Sequence, residues 1–243
     1  MQEIKLSPRL SKLIEKFVGE LKRAYAEDLI SAYLYGSAAS GEFNEGYSNI
    51  NLLIVLKNNQ LPDLDKAKGI VNRLEFRWID PLFLNEDYIR TSLDTFPIEF
   101  LDIKENNILL FGKDVLIDKE IDLKNLRFQC EQELKARLLN LKHRYLSIGP
   151  KDKLSLENLL IKNLNSLLHI LRNVVRLKGK QPSYTKQAII QELGTELKID
   201  TVILEKIFSK KADFKKLNYA EINLLLNELV IELEKIIKAV NEL

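Results

Sequence analysis

Cysteine is nearly absent from this chain: Cys130 is the only one in 243 residues. An intrachain disulfide framework is therefore excluded, which suits a reducing compartment. Histidine is almost as scarce, with only His143 and His169, so no Cys/His zinc site can be argued. Long hydrophobic runs are missing too. No stretch approaches the roughly 20 uncharged apolar residues of a membrane-spanning helix. Met1–Leu6 is short and mixed in character, without the apolar core of a secretory signal. The expectation is a soluble, cytoplasmic protein with no membrane partner. A dominant charge is also lacking. The 37 Lys/Arg and 35 Asp/Glu residues leave a net charge of +2, so no overall field draws in nucleic acid, and any basic face must be local.

What remains is an ordinary globular balance, with 46% hydrophobic and 30% charged residues. That is enough apolar material for a real core. Ser7-Pro8 is a helix start, with a hydroxyl before proline at the first helical position. Leu10, Leu13, Ile14, Phe17, Val18 and Leu21 follow at helical spacing. Leu29–Tyr35 reads as a strand that ends at Gly36-Ser37. A polar loop, 38–48, leads into Ile50–Leu56, a buried strand. A helix from Pro62 to about Leu74 and a strand over Trp78–Leu84 come next. Asn85 then caps a short helix. Ile98–Ile103 and Ile108–Phe111 are predicted as a fourth and a fifth strand, separated by the Asn106-Asn107 turn. Alternating strands and helices predict a mixed sheet covered by helices.

After about residue 120 the strand signal stops. Helical spacing runs over 125–146, 155–177, 184–193, 201–208 and 219–240. The segment 155–177 is apolar on most faces, as in the central helix of a bundle. The expectation is an all-α bundle of four or five helices. No internal repeat or low-complexity linker interrupts the chain.

One constellation carries chemistry. Leu34-Tyr35-Gly36-Ser37 is followed, after Ala38-Ala39-Ser40-Gly41-Glu42, by Tyr47-Ser48-Asn49-Ile50-Asn51-Leu52-Leu53. This resembles the signature of the nucleotidyltransferase superfamily, including its kanamycin-type members: a strand, Gly-Ser, a loop of about ten residues, then Asp-hydrophobic-Asp on the next strand. The resemblance implies an α+β fold, with a nucleotidyltransferase-like domain over 1–115 and a helical bundle domain over 120–243. It implies that Gly36, Ser37 and Ser48 contact a nucleoside triphosphate and that positions 49 and 51 hold Mg²⁺. It also implies a third carboxylate on an adjacent strand, for which Glu99 and Asp102 are the candidates. On a strand these two have opposite parity, so only one can face the site; Glu99, nearer the strand's middle, is preferred.

The departure from the family pattern is chemical. In-line displacement at an α-phosphate uses divalent ions to neutralise the phosphates, and Mg²⁺ wants anionic oxygens. Carboxylates at i and i+2 on a strand share one face. Asn49 and Asn51 keep that shape and lose the charge. A unit-charge pair at about 4 Å contributes ~4 kcal/mol at an effective dielectric near 20. Two missing carboxylates therefore imply Mg²⁺ binding that is weakened or lost.

Three functions follow from this reading. The first is a catalytically degenerate nucleotidyltransferase that binds nucleotide as a regulatory module. The second is an active metal-dependent transferase moving a nucleoside monophosphate to an unidentified hydroxyl acceptor. The third is an interaction protein that binds no nucleotide and uses the helical half for a homodimer or a protein partner. Elsewhere, His169 and Cys130 read as core residues and His143 as solvated. Arg172 and Arg176 read as a solvated helix end, with a phosphate cleft as the alternative. An HEPN-type ribonuclease motif starting at Arg172 fails, because Leu177 occupies its histidine position.

Overall fold

The computed structural model describes residues 6–41, 43, 49–183, 185–197, 201–210 and 216–243, apart from the side chains at 163–166, 186 and 208–210. The chain divides into two compact units, Met1–Ile121 and Asp122–Leu243.

The first unit runs α1 (Pro8–Tyr25), β1 (Leu29–Tyr35), α2 (Ser37–Ser40), β2 (Ile50–Leu56), α3 (Leu61–Val71), β3 (Ile79–Asn85), α4 (Glu86–Ser92), α5 (Pro97–Glu105) and β4 (Asn107–Gly112). Among the described residues the sheet has four strands in the order β3-β2-β1-β4. β1 pairs antiparallel with β2 and β4, while β2 pairs parallel with β3. The sheet is therefore mixed, as its alternating elements require.

Parity along the strands sorts two cores. Leu34, Ile50, Leu52, Ile54 and Leu56 face one side with Phe17 and Leu21 of α1 and Ala67 and Ile70 of α3. Phe17 meets Phe76 edge-to-face at 5.1 Å. Tyr33, Leu53, Val55 and Leu84 face the other side with Ile89 of α4, Phe100 and Ile103 of α5, and Val115 and Leu116.

Residues 98–103, read above as a strand, are helical. Pro97 fills the first turn of α5, and Phe100 and Ile103 bury one face at a three-residue spacing. Proline followed by an apolar run fits a strand and a helix equally, and packing against the sheet decides for the helix. The predicted fifth strand is thus the fourth, β4.

Two features pin β1 to the end of β4 and the segment after it. Gly112 has φ +85°, and a Cβ placed there would lie 1.9 Å from the Ile30 carbonyl oxygen. The fully buried Tyr33 hydroxyl accepts a bond from Val115 N at 2.6 Å and lies 3.1 Å from Asp114 Oδ1, to which it can donate. Burial foremost, with the Asp114 charge adding to it, pushes the phenol up to about 12. The folded state thus holds this proton more tightly than the unfolded chain, so stability should fall as pH rises from about 10 to about 12. Thermal melts should show that fall in the parent and a shallower one in Tyr33→Phe, since the Tyr25 and Tyr35 hydroxyls are also raised. The variant also orphans the Val115 N–H, at a cost of about 1–3 kcal/mol at neutral pH.

The second unit holds α6 (Leu123–Leu146), α7 (Lys153–Leu177), α8 (Lys186–Leu197), α9 (Val202–Lys210) and α10 (Tyr219–Asn241). The α10 start is a reciprocal capping box, in which Glu221 N donates to Asn218 Oδ1 at 3.0 Å and Asn218 N to Glu221 Oε2 at 2.7 Å. Leu126, Cys130, Leu134 and Leu141 of α6 are buried, as are Leu171, Val174 and Val175 of α7 and Ile222, Leu229 and Ile236 of α10.

Candidate functional site

β1 ends at Tyr35, and Gly36 turns the chain with φ +72°, a conformation that costs most side chains strain. Its N–H donates to the Asn106 carbonyl at 3.3 Å, and its own carbonyl accepts from Ala39 N and Ser40 N at 3.0 Å. Ser37 then opens the short α2 and is half-buried.

Register brings four residues into one row. Tyr35 lies opposite Asn51 on β2 and Asn107 on β4, and Asn51 aligns with Asp80 on β3. Residues directly opposite on paired strands present side chains to one face. Here that is the face of Tyr33, Leu53, Val55 and Leu84. The row therefore reads Asp80, Asn51, Tyr35, Asn107, with neighbours about 4.8 Å apart in strand spacing. The Asn51 amide turns toward the glycine. Its Nδ2 would lie 3.1 Å from a Cβ built on Gly36. Asn49, exposed, sits immediately before β2 at the parity of Asn51. Asn107 is held in place by donating to the Ile103 and Lys104 carbonyls, both at 3.0 Å.

The row is short of negative charge. Asp80 is its one carboxylate and is exposed. Burial, and behind it the negative Asp80, raise the Tyr35 hydroxyl above its ordinary value, so it remains a protonated hydrogen-bond donor at neutral pH.

Comparisons with known proteins bear on the fold. No family model matches the chain. A Methanocaldococcus jannaschii protein, provisionally named a protein adenylyltransferase, is 36% identical over 59 residues. That match takes in 24% of this chain and 40% of that protein, less than half its length. The crystal structure of spectinomycin adenyltransferase from Enterococcus faecialis, with ATP and spectinomycin, superposes with a TM-score of 0.55 at 14% identity. It covers 92% of this chain and 99% of that one. The chain has the nucleotidyltransferase fold.

Within this nucleotidyltransferase fold the sequence-predicted residues divide. Gly36 and Asn51 meet at the end of β1, Ser37 follows Gly36 and Asn49 lies two residues before Asn51, while Ser48 lies outside the described residues. Glu99 and Asp102 are on α5, not on a strand, so the strand-parity argument that preferred Glu99 does not apply. Glu99 is exposed, in the first turn. The Asp102 carbonyl accepts from Asn106 N at 3.0 Å, and Asn106 in turn accepts from Gly36 N. The carboxylate aligned with Asn51 is Asp80, which sequence reasoning passed over. Its only sequence signal is an acidic residue at the start of a strand, two positions after Trp78.

The donor set does not fit the metal cage that the family resemblance implies. Two amides and one carboxylate replace a cluster of anionic oxygens, and among the described residues no three His, Cys, Asp or Glu side chains could hold an ion together.

Two further expectations change in the second unit. His169 is exposed on α7 rather than core. Arg176 is buried at 4% exposure, and its Nη1 donates to Asn173 Oδ1 at 2.6 Å, so it is no solvated helix end.

Proposed function

We propose that the Gly36-Ser37 turn and the Asn51 row bind a nucleoside triphosphate without a structural demand for Mg²⁺, and that the protein acts as a nucleotide-binding module on a catalytically degenerate nucleotidyltransferase fold. The observation that carries this is the Asn51 amide beside Gly36 in a row with one carboxylate. Gly36 lets backbone approach phosphate closely, and amide N–H groups and the Tyr35 hydroxyl are neutral donors to phosphate oxygens. An anionic ligand here meets one repelling charge, Asp80, where the family pattern would place three carboxylates bridged by metal.

Asp80 gives the test its sign. If ATP binds without metal, Asp80→Asn removes a repulsion and should tighten ATP binding roughly tenfold, about 1.4 kcal/mol, in calorimetry with chelator present. Affinity of the parent protein should also differ less than about threefold between Mg²⁺ and chelator. Loss of binding in Asp80→Asn would sink this reading.

The alternative is an active transferase of nucleoside monophosphate to a hydroxyl acceptor. The Asp80 register and the adenylyl-transfer names of both similar proteins favour it. It requires Mg²⁺-strengthened binding, pyrophosphate release and loss of both in Asp80→Asn. No ATP binding under any condition would instead point to an interaction protein that uses its helical half for a partner or a second copy.

A further inference from the structure

Charge is segregated in the second unit. The sequence is balanced overall at +2, yet α6 and α7 together carry ten Lys/Arg and three Glu, whereas α10 carries two Lys and four Glu. Several cations of α6 are matched. Arg127 and Lys135 both meet Glu131 at 2.8 and 2.5 Å, and Lys142 meets Glu234 at 2.6 Å.

Two cations without such a partner share one groove with a third that has one. A groove of about 700 Å³ between α6 and α7 is lined by Arg137, Arg144 and Lys162, and by no carboxylate. Arg137 is weakly paired with Glu133 at 3.5 Å. The Arg144 and Lys162 side chains have no ion pair or hydrogen bond among the described residues. Asn140 and Asn158 add neutral donors, and Leu159 an apolar wall. The acids nearest in sequence on α7 stand outside: Asp152 caps the helix by accepting from Ser155 N, and Glu157 does not line the groove.

We infer that this groove binds a phosphorylated small molecule. Two cations without a partner among the described residues, Arg144 and Lys162, face one hollow beside the Glu133-paired Arg137; they repel each other until an anion enters, and the arginine fork suits phosphate oxygens in particular. The volume falls within the range of small-ligand sites, roughly 300–1,000 Å³. A net charge of only +2 supplies none of the extended basic field that nucleic acid uses. The inference stands on the helical unit alone and does not rest on the nucleotide site.

Inorganic tripolyphosphate is the probe, titrated by calorimetry at low salt with chelator, alongside backbone amide shifts. Binding should weaken at least tenfold in Arg144→Gln/Lys162→Gln and less than twofold in Lys124→Gln/Lys238→Gln, which removes equal charge from exposed positions off the groove. The amides of Asn140 and Asn158 should shift. Circular dichroism establishes that each variant is folded, and Arg144→Lys, which keeps the charge, should retain most binding. Absent binding, equal loss in both double variants, or shifts confined to the first unit would overturn the inference. So would a single-stranded deoxythymidine decamer that binds tenfold tighter than tripolyphosphate with the same variant dependence, since the groove would then be a nucleic-acid site.

Discussion

Replacing Asn49 and Asn51 together by aspartate is expected to give Mg²⁺-dependent ATP binding at least about 100-fold tighter in Mg²⁺ than in chelator, where the parent shows less than about threefold. The substitution is nearly isosteric, so the fold has no reason to change. Asn51 already points at the Gly36 turn and is aligned with Asp80. The variant would therefore set carboxylates on adjacent strands at one level of the sheet, with a third two residues earlier. Each unit-charge contact with an ion contributes ~4 kcal/mol at about 4 Å and effective dielectric 20. Part of that offsets ion dehydration and carboxylate repulsion, and 2.7 kcal/mol suffices for the stated factor. Repulsion supplies an internal check. In chelator the variant should melt below the parent, and Mg²⁺ should raise its Tm more than the parent's. A variant that folds as well in chelator as the parent and ignores Mg²⁺ would show that these two side chains do not share a site.

The largest stability effect is expected at Gly112. With φ +85° and the Ile30 carbonyl oxygen 1.9 Å from any Cβ, alanine adds both backbone strain and a backbone clash that no rotamer relieves. Strain and overpacking each cost of order 1–3 kcal/mol. Gly112→Ala should therefore destabilise the first unit by about 3 kcal/mol or more, lowering Tm by roughly 10 °C. The matched control is Gly19→Ala on α1, where nothing lies within 4 Å of the added carbon. It should stabilise by about 0.5–1 kcal/mol. Chemical denaturation of the three proteins decides the matter. Equal midpoints for Gly112→Ala and the parent would mean that β1 and β4 are not joined as described.

Local signals in the sequence were legible. Leu29–Tyr35 and Ile50–Leu56 are strands to the residue because both are apolar runs bounded by glycine or polar loops. Asn85 caps α4 through its side chain, accepting from Tyr88 N at 2.7 Å. The nucleotidyltransferase fold was visible in Gly36, Ser37 and the spaced pair at 49 and 51. What failed needed tertiary information. Residues 97–105 have no decisive period, and only the Tyr33, Leu53 and Val55 face tells Phe100 and Ile103 to share a helical side. Asp80 was invisible as a site residue because its neighbour Asn51 is supplied by parallel pairing across the intervening α3. A strand over 98–103 would put Glu99 or Asp102 beside the Asn pair, whereas those residues belong to the helix α5. Proximity to a helix end suggests water for Arg176, whereas its bond to Asn173 accompanies burial.

Each of the four strands donates one member to the row of Asp80, Asn51, Tyr35 and Asn107. A β1–β2 hairpin formed early would own Gly36 and Asn51 but neither flank. If nucleotide binds this row as proposed, it can recognise the chain only after both outer strands have docked. During refolding, nucleotide should leave the rate of collapse unchanged and slow the reverse reaction, acting as a late lock and not as a template.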